Sequence, residues 1–282
     1  MYVAVDIGGS KTTVATFSQP DPAKKLSSAT YATPKKYAAA LDQLQPAITA
    51  IVKDQPLTQI GISLALKLSS SGIPVLKANL PDYLGHDFKT DLAAHFSVPI
   101  FIKNDAVCAA TAEMTYGLGR DKTSLLHLII GTGLGGAYLR RDEAGFYDVP
   151  LEPEWTIIHP GGMSHTHYQI KGLTAAYVSS LQLEAQLNQP LSTVPDDHRI
   201  WDQVTHYLTM AIYNLIVFLA PEVVSCSGGL IENRPFLIDR VSQSLTQYQE
   251  LVTPPPLALS QVKDNPCLVG AFLLGPKTAR QS

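Results

Sequence analysis

The chain has 282 residues, of which 45% are apolar and 16% charged, with a formal net charge of −3. This balance can bury a core and excludes a disordered chain, and the length leaves room for two domains. No basic block or stripe is present, which argues against nucleic acid and anionic membrane as partners.

Tyr2 to Ile7, rich in β-branched and small residues, reads as a buried strand; Gly8-Gly9-Ser10 is a tight turn, and Thr12 to Phe17 returns as the second strand of a hairpin. The opening MYVAVDIGG has no basic start and meets Asp6 early, so it does not read as a signal peptide. Lys35 to Lys53 is helical by periodicity, with Leu41, Leu44, Ile48 and Ile51 on one side. Ile60 to Leu64 is a short strand and Asp87 to Phe96 a short helix. Pro99 to Ile102 is a strand running into Asn104-Asp105. Ala106 to Tyr116 is a helix with Gly117 as its C′ stop.

The pattern then restarts. Leu125 to Ile130 is a strand, Gly131 to Gly136 a glycine-rich turn and Ala137 to Leu139 a returning strand, a weak internal repeat of the first hairpin. Arg199 to Leu219 is a long helix; its apolar part, Leu208 to Ala220, is too short to span a bilayer and contains Asn214. Glu222 to Cys226 is a strand, followed by Ser227-Gly228-Gly229. Pro235 to Tyr248 is helical, Thr253 to Pro256 a proline-rich connector and Asn265 to Leu274 the last helix. Strands alternating with helices predict an α/β fold, with the boundary between halves near Gly117 to Lys122. The three cysteines, Cys108, Cys226 and Cys267, are far apart. They suggest neither a disulfide framework nor a CxxC pair, and a reducing compartment fits best.

Four places carry chemistry. In Asp6-Ile7-Gly8-Gly9-Ser10-Lys11-Thr12, glycines let the backbone approach a phosphate, Lys11 adds positive charge and Asp6 at a strand end suits magnesium; the plain alternative is a Gly-Gly hairpin turn. Gly131, Gly133 and Gly136 match a G-x-G-x-x-G spacing, but a strand rather than a helix follows, so a second phosphate-binding hairpin is preferred to a dinucleotide site. Ser227-Gly228-Gly229 between strand and helix suits a nucleoside or an ordinary βα turn. Lys103-Asn104-Asp105-Ala106 places a carboxylate at a helix start, either as a cap or as a general base toward a sugar hydroxyl.

In this order the motifs resemble the ROK family of sugar kinases and repressors, within the actin-like ATPase superfamily. DIGGSKTTVATF looks like its first phosphate motif and IFIKNDAVCAATAEMTYGLGR like the segment with the catalytic aspartate. LLHLIIGTGLGGAYL looks like the second phosphate motif and VVSCSGGLIENRPFL like the adenosine-side motif. The resemblance implies a two-domain actin-like (ribonuclease H-like) α/β fold with ATP and sugar in a central cleft. Its parts would be residues 1–117, residues 118–264 and a C-terminal helix in 265–282 returning to the first domain. Asp105 would be the base and Asp6 would position magnesium. Gly8, Gly9, Lys11, Thr12, Gly131, Thr132 and Gly133 would hold phosphates, and Gly228 and Gly229 would line the adenosine site. Asn79 of Asn79-Leu80-Pro81, together with Asn104, Asp105 and Glu152, would bind the sugar. The implied activity is transfer of the γ-phosphate of ATP, with magnesium, to the 6-hydroxyl of a free hexose by a cytoplasmic, homodimeric enzyme.

The chain departs from the family pattern around the sugar. Counting back from Pro160 puts Glu152 at the sugar-binding glutamate and Trp155 where a zinc-ligating histidine should stand, with Glu154 the competing choice. Trp155 is expected to fill volume vacated by zinc. The family's zinc cysteines are absent; His165-Thr166-His167 lies where the first pair would be, and with His159 these histidines are expected at the surface, with no zinc. A further sugar-contacting glutamate falls on Thr174 or Ala175. Gly61 to Lys67 lacks the usual Pro-Gly of a loop bordering the sugar. Glucose and N-acetylmannosamine therefore both stand as candidates. Two other readings remain: a repressor, disfavoured because the chain starts at the first motif without a helix-turn-helix segment, and a sugar-binding protein with weak or no kinase activity.

Overall fold

The computed structural model describes residues 1–18, 25–76, 80–143, 145–166, 169–263 and 265–275. The chain forms two compact units, one of residues 1–112 with the segment from Val262 onward, the other of Glu113–Gln261. In chain order the elements begin with β1 (Tyr2–Ile7), β2 (Lys11–Phe17), β3 (Lys25–Ala32), α1 (Tyr37–Val52), β4 (Gln59–Leu64), α2 (Phe88–Ala93), β5 (Ile100–Asn104) and α3 (Asp105–Tyr116). They continue with β6 (Ser124–Ile130), β7 (Leu134–Asp142), β8 (Gly145–Leu151), α4 (Ala175–Val178), α5 (Ser180–Leu187), α6 (Ile200–Leu219), β9 (Val224–Ser227), α7 (Gly229–Glu232), α8 (Phe236–Leu245), β10 (Leu257–Leu259) and α9 (Pro266–Phe272).

The first unit holds a five-stranded sheet of order β3-β2-β1-β4-β5, in which β1, β2 and β3 are antiparallel and β4 and β5 run parallel to β1. Its central strands are apolar on both faces because both faces are covered. Val3, Val5 and Ile7 share a core with Leu44 and Ile48 of α1 and Phe88 and Leu92 of α2. Ala4 and Ala15 point the other way, toward Leu268, Ala271 and Phe272 of α9. The second unit repeats this plan, with order β8-β7-β6-β9-β10 and the same antiparallel and parallel pairings. Its core lies among α6, α8 and the sheet, with Trp201, Val204, Leu208 and Ile212 wholly or nearly wholly buried. Among the described residues no helix is long and apolar enough to cross a membrane.

Several expectations shift. The buried face of α1 is Tyr37, Ala40, Leu44, Ile48 and Val52, with Leu41 and Ile51 only partly covered at its edge. Gly135 and Gly136 belong to β7 rather than to the turn, and Gly136 is needed because a Cβ there would stand 2.9 Å from Leu128 Cδ2 on β6. Gly117 follows α3 without a left-handed backbone; a side chain there would collide with the Glu113 carboxylate. The edge strands β3, β8 and β10, and α4 and α5, were not expected. β3 is exposed along most of its length and so carries no apolar alternation.

His127 of β6 is wholly buried and lies between two hydroxyls, Ser225 Oγ on Nδ1 and Ser227 Oγ on Nε2, both at 3.0 Å. Burial pushes its pKa down from 6.5 to about 4, against the opposing pull of Glu113. The unfolded chain therefore binds the proton first. Stability from this site is complete above about pH 6.5 and is lost as pH falls toward about 4. We expect a slope of about 1.4 kcal/mol per pH unit in that window, read from urea melts at pH 7 and 4.5, and a shallower slope in His127→Gln.

Candidate functional site

In the first unit the hairpin turn is braced from outside. Gly8 N–H closes it on Lys11 O at 2.9 Å. Thr33 Oγ1 donates to Gly8 O at 2.8 Å, Thr33 N–H to Ser10 O at 3.0 Å and Lys35 Nζ to Gly9 O at 2.6 Å. The carbonyls of the turn are thus held from one side by residues 33 to 35, which sequence reasoning missed. Thr12 is buried, and its hydroxyl pairs with Thr33 Oγ1 at 2.9 Å; Lys11 is exposed.

Asp6, near the end of β1, is half-buried. Ser63 Oγ, its register partner on β4, donates to Oδ1 at 2.9 Å, and Asn265 Nδ2 donates to Oδ2 at 3.0 Å. Burial raises its pKa and these two bonds lower it. Neither partner is positively charged, so a divalent cation would relieve the cost of ionising this carboxylate. One carboxylate suits magnesium, which keeps waters and phosphate oxygens as its other ligands. Among the described residues no three of His, Cys, Asp and Glu group to hold a metal by themselves.

Asn104 and Asp105 open α3. Asn104 Oδ1 accepts from Ala106 N–H at 3.0 Å and Val107 N–H at 3.4 Å, and its amide donates to Leu66 O at 3.2 Å. Asp105 Oδ1 accepts from Ala106 N–H at 2.9 Å. The Cys108 and Cys267 thiols are pushed up first by burial and then by the charges of Asp6 and Asp105, which keeps both protonated.

In the second unit the glycine turn closes through Gly131 N–H to Gly133 O at 2.9 Å, and Ser180 N–H, opening α5, donates to Gly131 O at 2.8 Å. Gly228 has φ 103°, and a Cβ there would stand 2.6 Å from Ile130 O, so only glycine fits. Gly131, Thr132 and Gly229 come together on one cavity of about 550 Å³, with Ser180, Leu191, Asp196, Asn233 and Arg234 on its other sides. Arg234 is buried over the Trp201 ring at 4.3 Å and donates to Leu191 O at 2.5 Å and Val194 O at 2.9 Å. Trp201 Nε1 donates to Pro195 O at 2.8 Å, so the pair fixes this wall of the cavity. Arg234→Met strands two carbonyls and should cost about 1–3 kcal/mol of stability, measurable by denaturant melts.

Glu154 joins the second turn. Its Oε2 accepts from Leu134 N–H at 3.0 Å and a side chain at Gly133 would collide with it. Burial raises its pKa, while the bond from Leu134 N–H and the neighbouring Trp155 side chain lower it. Glu152 immediately precedes the short 3-10 turn of residues 153–155. Thr174 is wholly buried and knits its segment to Thr156 through hydroxyl and carbonyl contacts at 2.8 and 3.1 Å. The stretch around His159 is held by rings: Tyr177 and Tyr207 stack at 3.8 Å, and His159 Nδ1 pairs with Tyr207 Oη at 2.7 Å. His165 is buried rather than at the surface. Asn79 and His167 lie outside the described residues.

A family model described as the ROK family matches residues 2–143. A fructokinase of Pediococcus pentosaceus is 26% identical over 186 residues, covering 62% of this chain and 60% of that protein. The N-acetylgalactosamine kinase AgaK of Shewanella sp. (strain ANA-3) is 25% identical over 98% of this chain and 96% of its own. The crystal structure of a ROK hexokinase from Thermus thermophilus superposes with a TM-score of 0.78 at 22% identity, over 96% of each chain. The likeness to that structure establishes the fold.

Proposed function

The chain belongs to the ROK family, and from that premise we propose that it is an ATP-dependent kinase acting on the 6-hydroxyl of a free hexose, of glucose or N-acetylmannosamine type. The observation that carries this reading is the cavity of about 550 Å³ on which Gly131, Thr132 and Gly229 converge. Its size is that of a small-molecule site, and its glycines come from two motifs about a hundred residues apart in the sequence. The relatives named as fructokinase and N-acetylgalactosamine kinase support sugar phosphorylation and leave the sugar open.

In this reading Asp105 accepts the proton of the sugar 6-hydroxyl as that oxygen bonds to the γ-phosphorus and the bond from phosphorus to ADP breaks. Gly8, Gly9, Lys11 and Thr12 with Gly131, Thr132 and Gly133 serve the phosphates, and Gly228 and Gly229 the adenosine. Thr12 contributes through its backbone, because its hydroxyl is engaged by Thr33. Asn79, Asn104 and Glu152 read sugar hydroxyls; the commitment of Glu154 to the second turn favours Glu152 over it. Magnesium held at Asp6 with ATP would offset charge on the transferring phosphoryl oxygens. Calorimetry with ATP and magnesium, and separately with a panel of hexoses, tests the reading. We expect both to bind. Sugar binding without any nucleotide binding would instead favour a sugar-binding protein without kinase activity.

A further inference from the structure

Asp6 is anchored from two directions that the sequence keeps far apart. Ser63 belongs to the neighbouring strand, but Asn265 arrives 259 residues later, at the start of α9. Asn265 stands at φ 50°, the left-handed region that asparagine tolerates better than most side chains. Its Oδ1 accepts from Leu268 N–H at 3.0 Å and so caps α9. Its Nδ2 donates to Asp6 Oδ2 at 3.0 Å. One amide thus uses its acceptor end for its own helix and its donor end for the carboxylate.

The helix that delivers it is tightly placed. A side chain at Gly270 would collide with Cys108 O of α3, and one at Gly61 of β4 with Ala271 O. Phe272 stacks on Phe17 at 4.3 Å and meets Tyr2 edge-on at 5.9 Å. With α9 fixed on two neighbours and the cap fixed on α9, the amide has little freedom to leave Asp6. Aspartate would cap as well, and glycine would accept the backbone angle as well. Only asparagine among these adds a donor aimed at Asp6.

We infer that Asn265 is a positioning residue for Asp6: the last helix closes over β1 and holds the carboxylate in the orientation in which it serves the magnesium of bound nucleotide. The inference rests on the kinase reading above. Its test separates the two. Asn265→Gly keeps the backbone angle and, as a cap, loses only a few tenths of a kcal/mol; Asn265→Ser retains a capping oxygen but is too short to reach Asp6. Manganese in place of magnesium is titrated against protein and ATP by electron paramagnetic resonance, with metal-free adenosine binding and thermal unfolding measured alongside. Wild type should hold manganese with ATP, and both variants at least about fivefold more weakly, with adenosine affinity unchanged, melting shifted little in Asn265→Gly and lowered somewhat in Asn265→Ser, which must hold the left-handed angle. Manganese affinity equal to wild type in either folded variant overturns the inference. So does a parallel fall in adenosine affinity, manganese affinity and melting temperature, which would make Asn265 a helix cap alone. A wild-type protein that binds neither adenosine nor manganese with ATP sinks the kinase reading, and the inference with it.

Discussion

Asp105→Asn should lower kcat for sugar phosphorylation by about 10²–10⁴-fold while leaving the KM values for ATP and sugar within about threefold of wild type. The substitution is nearly isosteric, and the amide oxygen can still accept from Ala106 N–H, the 2.9 Å bond that Asp105 makes at the start of α3. The capping of that helix by Asn104, which accepts from Ala106 and Val107, is untouched. In the kinase reading, what is removed is the capacity to take a proton, needed only as the sugar oxygen attacks. The loss therefore belongs in kcat, and the melting temperature should stay within a few degrees. Turnover above about a tenth of wild type would assign Asp105 the plainer role of a carboxylate at a helix start.

Gly270→Ala should be among the most damaging single changes to the first unit, at about 3 kcal/mol or more. The added methyl would meet the carbonyl oxygen of Cys108, which is backbone inside α3 and cannot swing aside as a side chain could. α9 would have to lift, separating Leu268, Ala271 and Phe272 from Ala4, Ala15 and Phe17. The expected result is a drop of several degrees in melting temperature, with loss of magnesium-dependent nucleotide binding as Asn265 moves with the helix. Gly135→Ala is the control. It lies within β7 with nothing near its missing Cβ, so the change should be neutral or stabilise by about 0.5 kcal/mol. Equal melting temperatures for the two variants would show that α9 is less closely packed than its glycine contacts indicate.

The parts of the fold legible in the sequence are those whose signal is local. β1, β4 and β6 stand out because strands covered on both faces are apolar or small at most positions. The glycine turns are legible because closely spaced glycines are costly without a reason, and Asp6 and Asp105 because each stands at a strand end beside a turn or helix start. β3 was missed because an exposed edge strand needs no apolar alternation, and β10 because its three residues carry too little pattern. The supports of the site were hidden for another reason. Thr33 and Lys35 reach the first turn across β2 and β3, Arg234 reaches Leu191 across 43 residues, and Asn265 reaches Asp6 from the other end of the chain. Such pairs are specified by the assembled sheet, and nothing in the neighbouring sequence announces them. In the segment of Glu152 and Glu154, the engagement of Glu154 by the second turn is likewise visible only in the fold.

The central claim is best tested by a coupled ADP-release assay on wild-type protein with ATP and magnesium, comparing glucose, fructose, mannose, N-acetylglucosamine and N-acetylmannosamine. The kinase reading predicts sugar-dependent, magnesium-dependent ADP release with at least one of these, well above the rate without sugar and lower by about a hundredfold or more in Asp105→Asn. ADP release no faster than in Asp105→Asn with every sugar, from protein that binds one of them, would contradict it.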